Sequence, residues 1–212
     1  MPSDETWRVI ADQSEYAKQA ADERFIHLLA LARCVNALRF SASVLTPVQG
    51  DDRPAAVRTR INSFLHTAAI LFEGRRLAES LARHFRTDPA FALMAELLAD
   101  RDVTTLFAET LKPVRDGFVF HYGPENIREA LERNEEDEPV FVLGRGDQAY
   151  YQLADLVVVR TMIQTPQSEA ERDASYAEVL KAVADLGVRF ARAADRLIAP
   201  VLLQMGWRMV SR

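Results

Sequence analysis

Residues 61–85, INSFLHTAAILFEGRRLAESLARHF, decide the fold. Ile61, Phe64, Ala68, Leu71, Ala78, Ala82 and Phe85 recur at spacings of three and four or their sum, the period that gathers side chains on one helical face. Arg75 breaks this seam beside Gly74, with Glu73, Arg76 and Glu79 close by, while Leu77 and Leu81 widen the apolar face further on. A stripe of this length can pack lengthwise against two neighbours, as in an antiparallel bundle. It predicts an all-α fold.

Towards the N-terminus, a helix is expected from about Asp4 to Ala20, with a weakly apolar face of Trp7, Ile10, Ala11, Ser14 and Ala17. A second begins near Ala21 and carries Phe25, Leu28, Leu29, Ala32, Val35, Leu38 and Ala42. It stops before Thr46-Pro47, and residues 50–54 turn the chain. Towards the C-terminus, Asp88-Pro89 reads as N-cap and first helical position of a short helix through Phe91, Met94, Leu97 and Leu98. Asp102 caps the next, through Val103, Leu106, Phe107 and Leu111. Pro113 then either kinks that helix or begins a new one at Val114.

Gly123-Pro124 opens a helix through Ile127, Ala130 and Leu131, followed by an acidic loop at 134–139. Val140 to Leu143 is the one stretch with strand character. The tripeptide Arg145-Gly146-Asp147 reads as a turn whose Asp147 caps a helix apolar nearly all round, from Leu153 to Ile163. Ser168 and Glu171 have capping-box spacing and open the last long helix, with the stripe Tyr176, Leu180, Val183, Leu186, Phe190, Ala194 and Leu197. Pro200 ends it. The apolar tail from Val201 to Val210, with Trp207, either returns onto the core or covers a second subunit. The expectation is one helical-bundle domain over residues 1–212, with roughly seven to eight helices and at most a short extended piece near 140–143.

Composition agrees with this reading. Of 212 residues, 49% are hydrophobic and 27% charged, and eight Gly and nine Pro are too few to serve many turns, so the elements must be long. A net charge of −5 supplies no global attraction to nucleic acid or anionic membrane, although it does not report local potential. Cys34 stands alone, which excludes an internal disulfide framework or a multi-cysteine zinc site. The start, Met-Pro-Ser-Asp-Glu, lacks a basic and apolar leader, and no stretch approaches the roughly 20 apolar residues that span a bilayer. A cytoplasmic, reduced, soluble protein without a membrane partner is expected. His27, His66 and His84 have no metal-ligand spacing, Glu23 and His27 form only one i, i+4 pair, and no Gly-rich phosphate loop occurs, so neither metal nor cofactor is expected.

One segment carries chemistry: residues 112–124, KPVRDGFVFHYGP. Arg115 and His121 suit phosphodiester cleavage in RNA. A histidine can deprotonate a 2′-hydroxyl or protonate a leaving oxygen, and an arginine can hold the phosphate and offset charge in the transition state. Six residues on a regular helix turn through about 600°, leaving the two side chains roughly 120° apart. Either Pro113 and Gly117 distort the helix, or two copies pool their residues across a dimer. A packing role fits the same residues, with Arg115 paired to a carboxylate on a neighbouring helix and His121 at a helix C-terminus.

An Arg followed by a polar residue, an apolar run and a His before a Tyr-Gly-Pro break resembles the R-x(4–6)-H signature of the HEPN superfamily. That resemblance implies a helical bundle, a homodimer, and metal-independent RNA cleavage in a cleft lined by the motif from two subunits. In toxin systems it also implies an antitoxin or other protein partner. Arg115 would then bind the phosphate, His121 would act as acid and base, and Asp116 would orient them, with Tyr122 as a supporting binding residue. Arg75 either assists phosphate binding, if its helix lines the cleft, or snorkels or pairs with a carboxylate. Arg60 and His66 share the spacing, but the apolar Ile61 follows Arg60 and no break follows His66. Gly117 and the acidic overall charge depart from the pattern. Two further classes fit the residues: a helical module binding a partner protein or nucleotide-like ligand in the same cleft, and a purely structural dimer.

Overall fold

The computed structural model describes residues 7–51, 53–119 and 169–211, together with positions 124 and 128. Three long helices organise it: α2 (Glu23–Leu45), α3 (Pro54–Phe85) and α6 (Glu169–Gln204). Between α3 and α6 in sequence come α4 (Ala92–Ala99) and α5 (Arg101–Leu106), and the helical path continues from α5 to Val119. A short α1 (Gln13–Gln19) precedes them, and two strands, β1 (Trp7–Ile10) and β2 (Arg208–Ser211), join the two ends. The fold is all-α, as expected. Among the described residues it has six α-helices, against the seven to eight expected over the whole sequence. The expected helices through Ile127 and after Asp147, the acidic loop, the Val140–Leu143 stretch and the Ser168 cap lie outside the described residues.

The core is one cluster drawn from all three long helices and the α4–α5 region. Leu31 of α2, Leu71 and Leu81 of α3, Met94, Leu111, Phe190 and Leu197 are fully buried. Each such side chain contributes about 1.5–3 kcal/mol relative to exposure, so this cluster outweighs every polar contact described below. On α6 the expected stripe from Val183 through Leu186, Phe190 and Ala194 to Leu197 is buried throughout. On α2 the buried face is turned slightly from the expected one. Leu31 and Ser41 are buried while Leu29 is 49% exposed, because the buried line follows 25, 28, 31, 35, 38 and 41. By length and composition α2 could cross a membrane, contrary to the expectation that no such stretch exists. Its inward face is taken up by the core.

The seam of α3 is not broken at Arg75. Its position between Leu71 and Ala78 belongs to Gly74, which is buried, and the space a side chain would take is filled from α6 by the Phe190 ring. A Cβ on Gly74 would lie 2.7 Å from Phe190 Cζ.

Several boundaries differ from expectation for identifiable reasons. Residues 7–10 form β1 rather than a helix, pairing antiparallel with β2 in the register Trp7 to Ser211 and Ile10 to Arg208. α1 starts only after Asp12, whose carboxylate accepts the Glu15 N–H at 2.9 Å. Asp100, not Asp102, caps α5, accepting from the backbone of Asp102 at 2.9 Å and Val103 at 3.3 Å. Pro200 lies inside α6; it and Arg196, whose carbonyl loses its partner to the proline, are both exposed, so water can satisfy that group. α6 ends at Gly206, with φ of +90°. There Gly206 N–H reaches Leu203 O and Trp207 N–H reaches Leu202 O, the paired bonds of a Schellman motif.

That turn sends the tail back onto its own core. The Trp207 ring lies 5.7 Å from Phe25, its indole N–H donates to Gln19 Oε1, and Gln19 Nε2 donates to the Met205 carbonyl. The α2–α3 connection is fastened similarly: Gly50 has φ of +72°, and the Arg60 guanidinium donates to the carbonyls of Val48 at 3.0 Å and of Asp51.

The Gly74 contact generates a prediction. Ala is favoured over Gly in a helix by about 1 kcal/mol, while overpacking a tight core costs about 1–3 kcal/mol. Gly74→Ala is therefore expected to lower stability by up to about 2 kcal/mol in urea unfolding. The same substitution in a Phe190→Leu background should be neutral or stabilising. The same effect of Gly74→Ala in the parent and in the Phe190→Leu background would contradict the close approach.

Candidate functional site

Arg115 and Asp116 sit on the continuation of α5. Pro113 has no N–H, and in a regular helix its ring would press on the carbonyl of the residue four before it. The chain responds by widening. Phe107–Leu111 is a π-helical turn closed by Lys112 N–H on Phe107 O; Lys112–Val114 follows, and Arg115–Val119 is a second π turn. The helix neither stops at Pro113 nor restarts at Val114. Phe107, Leu111, Val114 and Gly117 are buried along its inner side, which leaves Arg115 and Asp116 half-buried at its edge.

At that edge Arg115 meets α3. Its Nη2 donates to Glu73 Oε1 at 2.9 Å and its Nη1 to Asp116 Oδ1 at 2.7 Å. The guanidinium carbon lies 5.2 Å from the centre of the Phe72 ring. The chain of charges extends in both directions, from Glu73 to Arg76 at 3.2 Å and from Asp116 to Lys112 at 3.0 Å. Among the described residues, three cations thus alternate with two carboxylates along this series. Such half-exposed pairs are worth about 0–1 kcal/mol each, so their main effect is to fix direction. The Arg115 side chain is 29% exposed, so it is held rather than buried.

The same contacts set protonation. Hydrogen bonding to Arg115, then to Lys112, holds the Asp116 carboxyl below the usual carboxylate range, and Asp116 in turn raises Arg115. Half-buried Cys34 has its thiol pushed up mainly by burial, with Glu73 adding to the effect.

Of the residues singled out in the sequence, Arg115 and Asp116 are brought together. His121 and Tyr122 lie outside the described residues. Arg75 is tied elsewhere: its Nε donates to Glu79 at 2.8 Å and its guanidinium lies 4.7 Å from the Phe107 ring centre. Those contacts give it a packing role at the α3–α5 boundary. Arg60 and His66 serve separate purposes, Arg60 on the connection carbonyls and His66 Nδ1 against Ser41 Oγ at 3.3 Å. Among the described residues, Glu73, Phe72 and Lys112 belong to this cluster without being named by the motif. Lys112 could have been found from its i, i+4 relation to Asp116. Glu73 precedes Arg115 by 42 positions and has no local signal.

The Arg115–Asp116 pair makes a titration prediction. A carboxyl whose folded value is depressed stabilises the fold above its unfolded value, and that contribution is lost as pH falls through the folded value. The Asp116 side chain, followed by carbon-detected NMR, should titrate below the ordinary aspartate value near 3.9. Arg115→Ala should move its midpoint upward. A midpoint that does not respond would mean the pair does not persist in solution.

No family model, curated protein or solved structure matches the chain, so its own residues carry the functional reading.

Proposed function

We propose that this chain is a metal-independent endoribonuclease of the HEPN type, working as a homodimer in which Arg115 and His121 from two copies line one cleft. The observation that carries the reading is the presentation of Arg115: half-exposed, seated on Phe72 and oriented by Glu73 and Asp116. A phosphate approaching from solvent would be met by a cation already fixed in direction, which lowers the ordering cost of binding. Arg76 and Lys112 offset the two carboxylates nearby.

In this reading the 2′-oxygen attacks phosphorus as its proton passes to a base, and the 5′-oxygen leaves and is protonated. The products are a 2′,3′-cyclic phosphate and a 5′-hydroxyl. His121 supplies the proton transfers, Arg115 stabilises the charge on the non-bridging oxygens, and Asp116 and Glu73 are positioning residues. Tyr122 would flank the strand.

A second reading draws on the same contacts. Two carboxylates already sit on Arg115, as a non-catalytic dimer that binds a partner protein or nucleotide-like ligand would have them. Cleavage of varied RNAs with EDTA present separates the two. Arg115→Ala is expected to lower the rate about 10²–10³-fold, in the range for losing a charge-stabilising donor. His121→Ala should lower it about 10²–10⁴-fold. Both variants should keep the parent's far-ultraviolet circular dichroism. Unchanged rates in both, or no cleavage by the parent chain, would leave the binding reading in its place.

A further inference from the structure

Where the start of α2 meets the end of α3, two histidines come together. His27 and His84 stand 57 positions apart in sequence, and the packing of the two helices brings their ring centres to 6.4 Å, with the planes 34° from parallel. The His27 ring is already set, because its Nδ1 lies 2.9 Å from the Glu23 carbonyl oxygen one turn earlier. A carbonyl only accepts, so Nδ1 carries the proton and the lone pair of the neutral ring is on Nε2. A histidine that binds a metal is held in the same way: one ring nitrogen donates to a backbone carbonyl, which fixes the tautomer and raises the basicity of the other.

The surroundings suit a cation. Hydrogen bonding to Arg24 chiefly, and the charge on His84 to a lesser degree, hold the Asp22 carboxyl below the usual carboxylate range, so a carboxylate lies within electrostatic reach of His84. Among the described residues no third His, Cys, Asp or Glu completes a direct coordination set, which leaves the remaining positions to water. Imidazole nitrogens favour zinc and its transition-metal neighbours, whereas magnesium and calcium take oxygen. With Zn–N bonds of about 2.0–2.1 Å, a tetrahedral ion holds two imidazole centres about 5 Å apart, so the rings need to close by about 1 Å. His84 is exposed in the last turn of α3, where its ring can turn to make that approach.

We propose that His27 and His84 bind a divalent transition-metal ion of the zinc class, which bridges the start of α2 to the last turn of α3. The pair shares no residue with the Arg115 cluster, so zinc binding and RNA cleavage in EDTA are read separately.

The test is calorimetric titration of the full chain with zinc chloride, and with magnesium chloride as the control. Zinc should bind and magnesium should not. His27→Ala and His84→Ala should each weaken zinc binding at least about tenfold. His66→Ala, which removes the imidazole beside Ser41 elsewhere on α3, should leave it unchanged. In the parent chain zinc should shift the NMR signals of both rings, with the metal on Nε2 of His27 rather than Nδ1; this measurement needs no variant to fold. Shifts of both rings, together with lost affinity in both variants, would support a bridging ion. No zinc binding, affinity insensitive to either substitution, shifts confined to one ring, or magnesium bound as tightly as zinc would each overturn the proposal.

Discussion

The approach of α3 to α6 at Gly74 is the constraint on which the rest of the structure depends. With no Cβ at that position, the Phe190 ring lies against the helix backbone, and the distance between the two longest helices is set there. The neighbouring positions show how much depends on that placement. Successive residues on a helix point about 100° apart, so Phe72, Glu73, Gly74 and Arg75 together sweep its circumference. Phe72 supports the Arg115 guanidinium, Glu73 binds it, Gly74 admits Phe190, and Arg75 lies over Phe107. Core packing and the candidate site are therefore one construction. A shift of α3 against α6 would move the carboxylate that orients Arg115.

Electrostatics and packing act on different scales here. The buried apolar cluster supplies the stability, since each large side chain in it is worth more than an exposed ion pair. The alternating series from Arg76 to Lys112 contributes geometry instead: it selects one direction for a long side chain that would otherwise sample many. It also makes local charge independent of the global balance. Along that series the described cations outnumber the described carboxylates, on a molecule whose net charge is −5.

How far the sequence could be read depended on the range of the interaction involved. The α6 stripe and most of the α3 seam were legible, because a repeated apolar period reports which face is buried whatever covers it. Gly74 was not, since its partner comes from a helix 116 positions away and the period shows only a gap flanked by Arg75. β1 read as a weak helix because residues 7–10 carry no signal for a partner strand at 208–211, and strand pairing across that separation leaves no local trace. In the candidate site, the Arg115–Asp116 adjacency was visible, while Glu73 was visible only as a neighbour of Arg75. Pro113 announced a disturbance without its form: sterics require that the helix change there, but neighbouring packing selects widening over a break.

The joining of the two ends has a mechanical consequence. In the β1–β2 pair the outermost partners are Trp7 and Ser211, so the chain leaves the ribbon in both directions from adjacent points. A force applied between those points would load the ladder one residue pair at a time, as in peeling, rather than shearing all its bonds at once. Tension would then pass to the Trp207–Gln19 contact, at the end of α1, before it reached the long helices. Anything attached beyond either strand would share one pole of the molecule.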